Sequence, residues 1–180
     1  MIPRTAAFLA IALAGAALDL GTKAWAFSTF PRWTTHVLIP HVLSIQLTTN
    51  PGIAGGLFPS RVWAGVSVAA IPLIAFAFLR RKDAGGVERL CGALILAGAM
   101  GNGYDRLYLK SVRDFILMPF IPNFNLADAM LTGSVAVLVL IWIIHERRPV
   151  GDPGPAPARE PHDGGVGDLG RDHGPGPGRP

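Results

Sequence analysis

Leu90–Arg106 reads LCGALILAGAMGNGYDR, an uncharged run over Leu90–Tyr104 closed by Asp105 and Arg106. A helix crossing the hydrocarbon core needs ~20 residues, with a range near 17–25. The run reaches that length only by taking its two charged residues with it. Ionisable groups at membrane depth are costly, so they are functional candidates from the outset. Three more uncharged runs flank this one: Ala6–Leu18, Val62–Leu79 and Ala129–Ile144. Of the four, only Val62–Leu79 reaches spanning length unaided. The first absorbs Asp19 and Lys23, and the last absorbs Asn125 and Asp128.

The expectation from these runs is an all-α integral membrane protein. It would have four transmembrane helices and a small extracytoplasmic β-containing segment between helices 1 and 2. Composition agrees, with 50% hydrophobic and 16% charged residues, against about 25% charged in soluble domains. An ordinary water-soluble enzyme is excluded. Residues 149–180 differ: Gly and Pro fill 17 of 32 positions, with no aromatic residue. Such a stretch cannot bury enough apolar surface to offset its ordering entropy. The expected organisation is therefore a membrane domain over 1–148 and a disordered cytoplasmic tail over 149–180.

Ala6–Leu18 behind Arg4 also fits a cleaved signal peptide. The apolar run resumes through Trp25, Ala26 and Phe27, as a retained helix would. Lys and Arg set orientation. Arg4, Arg80, Arg81, Lys82, Arg89, Arg147 and Arg148 fall on one side, against Arg32, Arg61, Lys110 and Arg113 on the other. Both termini are placed in the cytoplasm. Asp19/Lys23, Asn102/Asp105/Arg106 and Asn125/Asp128 then gather at the outer surface. His41–Thr48 alternates apolar and polar residues as a short strand does, and Asn50-Pro51-Gly52 signals a turn. Leu109–Asn123, with Pro119 and Pro122, reads as a loop.

Asp19 and Lys23 share a helix face at i, i+4; an ion pair easing the helix end to the interface accounts for them as well as a substrate contact does. Asn102, Asp105 and Arg106 share another face, and pairing or capping suits Asp105 and Arg106 better than catalysis. Alone, Asp128 could cap a helix and Asp114 could pair with Arg113. Together they offer two carboxylates at one surface. Two such groups cannot both ionise easily, which supplies an acid and a base from identical side chains. That is enough to activate water against a peptide bond.

Other chemistry is poorly supplied. No serine sits in a G-x-S-x-G context, and no histidine has zinc-ligand spacing. The single Cys91 forms neither a disulfide framework nor a thiolate metal site. No basic stripe interleaved with aromatics suggests nucleic acid. No metal or cofactor is expected. A small transporter or a membrane assembly subunit would also carry apolar helices. The first should place its polar groups at mid-depth, and the second does not explain paired Asp and Asn blocks.

Four ordered blocks resemble signal peptidase II, or lipoprotein signal peptidase, a family of bacterial membrane aspartic endopeptidases. They are Asp19-Leu20-Gly21-Thr22-Lys23, Asn50-Pro51-Gly52-Ile53-Ala54, Gly101-Asn102-Gly103-Tyr104-Asp105-Arg106 with Val112-Arg113-Asp114-Phe115, and Phe124-Asn125-Leu126-Ala127-Asp128. The resemblance implies Asp114 and Asp128 as the catalytic dyad. Asp19, Lys23, Asn50, Gly52, Asn102, Asp105, Arg106 and Asn125 would support it or bind substrate. It also implies a prolipoprotein substrate whose Cys bears diacylglyceryl, cut on the amino side of that Cys. The setting would be the bacterial cytoplasmic membrane, in contact with membrane lipid, with the enzyme a monomer. Gly55-Gly56 stands where the family usually has an aromatic, so a roof over the site that is more mobile, or re-registered, is expected.

Overall fold

The computed structural model describes residues 4–52, 60–81 and 83–146. Four helices lie among them: α1 (Arg4–Thr29), α2 (Ser60–Arg80), α3 (Gly86–Tyr104) and α4 (Leu126–Glu146). A π-helical turn, Asp105–Leu109, extends α3. Strands β1 (Thr35–Ile39), β2 (Leu43–Asn50), β3 (Val112–Met118) and β4 (Ile121–Phe124) form one antiparallel sheet in that order.

This corrects the expected all-α class. The fold is four helices with a four-stranded sheet, and half of that sheet comes from the connection between α3 and α4. Pro119 and Pro122 had marked that stretch as a loop, yet both are accommodated. Pro119 and Phe120 make the tight turn between β3 and β4, Phe120 at φ 64°, a placement type II turns use. Pro122 lies on β4, an edge strand, where a missing N–H costs no ladder bond. The strand expected over His41–Thr48 is β2, beginning two residues later because His41 takes a positive φ in the turn after β1.

The expected count of four membrane spans is corrected as well. Among the described residues two helices, Arg4–Thr29 and Leu126–Glu146, are long and apolar enough to cross a membrane. The apolar stretch of α2 described there, Val68–Arg80, is shorter. Helix α3 begins with Glu88 and Arg89 in its first turns and so has only a short uncharged length. The residues 53–59, including Gly55-Gly56, and the tail 149–180 lie outside the described residues.

Burial runs opposite to that of a water-soluble protein. The largest fully buried side chains are Lys23, Asn125, Asp19 and Asp105, while Leu13, Leu18, Leu140 and Trp142 are more than half exposed. Apolar surface on that scale needs a non-aqueous surrounding. Small residues let the helices close around the polar centre. A Cβ at Gly101 would overlap the Asp19 carboxylate, and one at Gly98 would come 2.6 Å from the Ala127 carbonyl oxygen. At one end of the bundle Phe8, Ala12, Ala93 and Leu96 form an apolar cluster. At the other, Ala26 packs with Ile45, Leu47 and Phe115, seating the sheet on the end of α1.

Candidate active site

Helix α4 begins with a reciprocal cap. Asn125 Oδ1 accepts the Asp128 backbone N–H at 3.0 Å, and Asp128 Oδ2 accepts the Asn125 N–H at 3.2 Å. That is a capping box with Asn at the cap and Asp three residues on; Asp128 is thus the third residue of the helix and not its cap. A third N–H of this first turn, that of Ala127, donates to Asp19 Oδ1 of α1 at 2.8 Å. Helix starts leave such groups without partners and favour negative charge beside them. One turn therefore fixes Asp128 and joins α4 to α1.

The two asparagines reach from there to both carboxylates. Asn125 Nδ2 donates to Asp114 Oδ1 at 2.7 Å and to Asn102 Oδ1 at 3.1 Å. Asn102 Nδ2 donates to Asp128 Oδ1 at 2.8 Å. Lys23 Nζ donates to Asn102 Oδ1 at 2.8 Å. An ammonium can only donate, so it turns the amide oxygen of Asn102 toward itself and the amide nitrogen toward Asp128. Lys23 is also ion-paired with Asp19 at 2.7 Å and with Asp105 at 3.4 Å.

Asp105 serves a different partner. Its oxygens take the Arg113 guanidinium at 2.8 and 3.2 Å and the Arg113 backbone N–H at 3.0 Å. This forked contact ties the π-helical turn to β3 one residue before Asp114. Arg113 thus pairs with Asp105, the alternative to its pairing with Asp114. Strand β3 also borders β2 with Thr48 opposite Asp114, and an irregularity between Ile45 and Thr48 shifts the register there. Bulges of this kind re-aim side chains beside active sites.

Burial pushes the Asp114 carboxyl up to about 6, the nearby Asp128 charge adds to the rise, and the Asn125 hydrogen bond opposes it. Burial lowers Arg106, while Asp128, Asp114 and Asp105 pull it back upward, so its guanidinium lies within the field of the pair. Asn50 and Gly52 stand apart. The Asn50 side chain accepts the Gly52 N–H at 3.1 Å, closing the turn after β2. Along β2 runs a cleft of about 420 Å³, lined in part by Phe27, Arg32, Gln46 and Thr48.

The structure thus brings Asp19, Lys23, Asn102, Asp105, Asn125, Asp114 and Asp128 into one bonded cluster, while Asn50 and Gly52 bond to each other outside it. Sequence reasoning missed Arg113 as the clamp on Asp105 and Thr48 as the neighbour of Asp114. Both follow from strand register. The alternation Val112-Arg113-Asp114 was visible, but the prolines hid its meaning.

A family model described as signal peptidase (SPase) II matches residues 11–144. A lipoprotein signal peptidase of Syntrophomonas wolfei is 34% identical over 132 residues, covering 72% of this chain and 89% of that one. That of Aquifex aeolicus is 35% identical over 142 residues, covering 74% and 83%. A bacterial membrane enzyme solved by the in meso method at 2.3 Å superposes with TM-score 0.69 at 26% identity, over 81% of this chain and 93% of that one.

Proposed function

The chain belongs to the signal peptidase II family of lipoprotein-processing proteases, and from that premise we propose that Asp114 and Asp128 are its catalytic dyad. The observation that carries the assignment is the Asn102–Asn125 amide pair, which is bonded to itself and gives one N–H to each carboxylate. Charge balance supports it. The cluster holds Asp19, Asp105, Asp114 and Asp128 against Lys23, Arg106 and Arg113. One proton shared by the dyad makes the whole set neutral, and an uncompensated charge among its buried members is costly.

In this reading Asp114 carries the proton, since its burial favours the neutral form. Asp128 accepts N–H bonds on both oxygens and takes the proton of a water placed between the two carboxyls. That water's oxygen bonds to the carbonyl carbon preceding the diacylglyceryl-modified Cys, while Asp114 gives its proton to the carbonyl oxygen. The tetrahedral intermediate collapses with cleavage of the C–N bond. The proton taken up by Asp128 passes to the leaving amine of the Cys, and Asp114 recovers its own from the hydroxyl. Arg106, which interacts electrostatically with both carboxylates, offsets the developing charge. The cleft along β2 gives room for chain flanking the scissile bond.

The same reading places the dyad at the outer surface of the cytoplasmic membrane. Helix α1 runs outward from Arg4 and α4 returns inward from Asp128, so both described ends lie on the Arg-rich side. Acyl chains of the substrate remain in the bilayer while its Cys is presented at the surface. The enzyme acts as a monomer, because one chain supplies every side chain of the cluster. Incubation of the purified protein with a diacylglyceryl-modified prolipoprotein tests the substrate reading. The modified form should be cut and its unmodified Cys precursor left intact. Equal cleavage of both would remove the lipid from the account.

A further inference from the structure

At the end of the bundle away from the dyad, three arginines from three elements face one cleft of about 380 Å³. Arg4 opens α1, Arg81 follows α2 and Arg89 lies in the first turns of α3. The floor is aromatic. Phe8 and Phe78 stack with ring centroids 6.4 Å apart, and Phe8 is buried. Among the described residues, the cleft is lined by three arginines and no acid. Glu88 beside it accepts the Gly85 N–H at 2.8 Å and pairs with the Arg81 guanidinium at 3.4 Å, offsetting one of the three charges, and Asp83 lies exposed in the same connection. Arg80 is turned to a different surface, its guanidinium 4.8 Å from the centre of the Phe76 ring.

We propose that this cleft binds the phosphate of an anionic phospholipid, held by Arg4, Arg81 and Arg89 above the Phe8–Phe78 floor. Guanidinium groups match phosphate oxygens through paired N–H donors. Basic pockets between membrane helices on the cytoplasmic side suit acidic lipid head groups for this reason. Depth agrees. From Arg4 to Lys23 along α1 the rise is about 28 Å at 1.5 Å per residue, close to the ~30 Å of a hydrocarbon core. With the polar cluster at one membrane surface, the arginines therefore stand at the other, at head-group level. The amphipathic lining selects the occupant further. A free phosphate satisfies the arginines but leaves the aromatic floor uncovered, whereas a phospholipid meets both. The amino end of a signal peptide reaches this level too, but its positive charge is repelled. A lipid held here would bridge the ends of α1, α2 and α3 and stabilise their packing.

The test uses the full chain in a neutral detergent, with thermal unfolding followed during titration. Ligands that bind the folded state raise its midpoint. Dioleoylphosphatidylglycerol should raise it saturably, dioleoylphosphatidylcholine with the same acyl chains should not, and inorganic phosphate should do so only weakly. Arg4→Gln, Arg81→Gln and Arg89→Gln should each increase the half-saturating lipid concentration about fivefold, the effect of one basic group near a charged head group. Arg32→Gln, at the opposite end of α1, should leave it unchanged. Lys at each position should restore part of the affinity through its charge, leaving the half-saturating concentration between those of the native chain and the Gln variant, and this carries the test if a Gln variant does not survive extraction. A rise with phosphatidylcholine equal to that with phosphatidylglycerol would overturn the proposal. So would an Arg32→Gln variant as impaired as the other three. A full rise with inorganic phosphate alone would reassign the arginines to free phosphate and remove the lipid.

Discussion

Asp114 is buried beside a second carboxylate, and its pKa of about 6 stands above the ordinary 3.8. A carboxyl raised in the folded state contributes its full stability below the ordinary value and loses it as pH rises through about 6. Two units of difference correspond to about 3 kcal/mol. Asp114→Asn removes this dependence while keeping an oxygen to accept the Asn125 N–H. Relative to the native chain, the variant should therefore gain about 3 kcal/mol of stability between pH 3 and pH 8, read by chemical denaturation at both. A stability difference independent of pH would contradict the burial argument. Asp105 behaves differently, because it holds Lys23 and Arg113 together. Asp105→Asn leaves buried Lys23 and half-buried Arg113 undercompensated and should cost about 3 kcal/mol of stability. Cleavage by the fraction that still folds should be lowered but not lost.

At the scale of elements, the close contact of α3 with the start of α4 sets the distance across which Asn102 meets Asp128. A methyl group at Gly98 would press on the Ala127 carbonyl and the Leu131 side chain. Overpacking of this kind costs about 1–3 kcal/mol. Gly98→Ala should lower the unfolding midpoint and also reduce cleavage, since the added carbon pushes α4 away from Asn102. Unchanged cleavage would show that the amide contact is not demanding. The helices were legible from their uncharged runs, and the polar cluster from the depth at which those runs ended. Strands β3 and β4 were not, because Pro119 and Pro122 signal a loop unless the edge position and the turn are known. The i, i+4 pairing of Asp19 with Lys23 could be read locally. The reach of Asp19 to Ala127 and of Asn125 to Asp114 depends on how α1, β3 and α4 meet, which no local spacing encodes.

For the whole molecule, the family match over 11–144 and the cluster within 19–128 place the proposed activity ahead of the Gly/Pro-rich segment. Ending the chain at Val150 should leave cleavage within about twofold of the full chain, since the sequence removed has few apolar residues to bury. Badly impaired cleavage would give it a role. A reporter active only outside the cytoplasm, fused after Arg148, should stay silent if the Arg-rich end faces inward. The central claim concerns two carboxylates acting as a pair, and one measurement reaches it most directly: single-turnover cleavage of a diacylglyceryl-modified prolipoprotein by Asp114→Asn and Asp128→Asn, each checked for folding and for substrate binding. The account predicts that both variants fold, bind substrate and cut at least about a thousandfold more slowly, as loss of either member of a unit removes the whole of its action. Normal cleavage by either folded variant would contradict it.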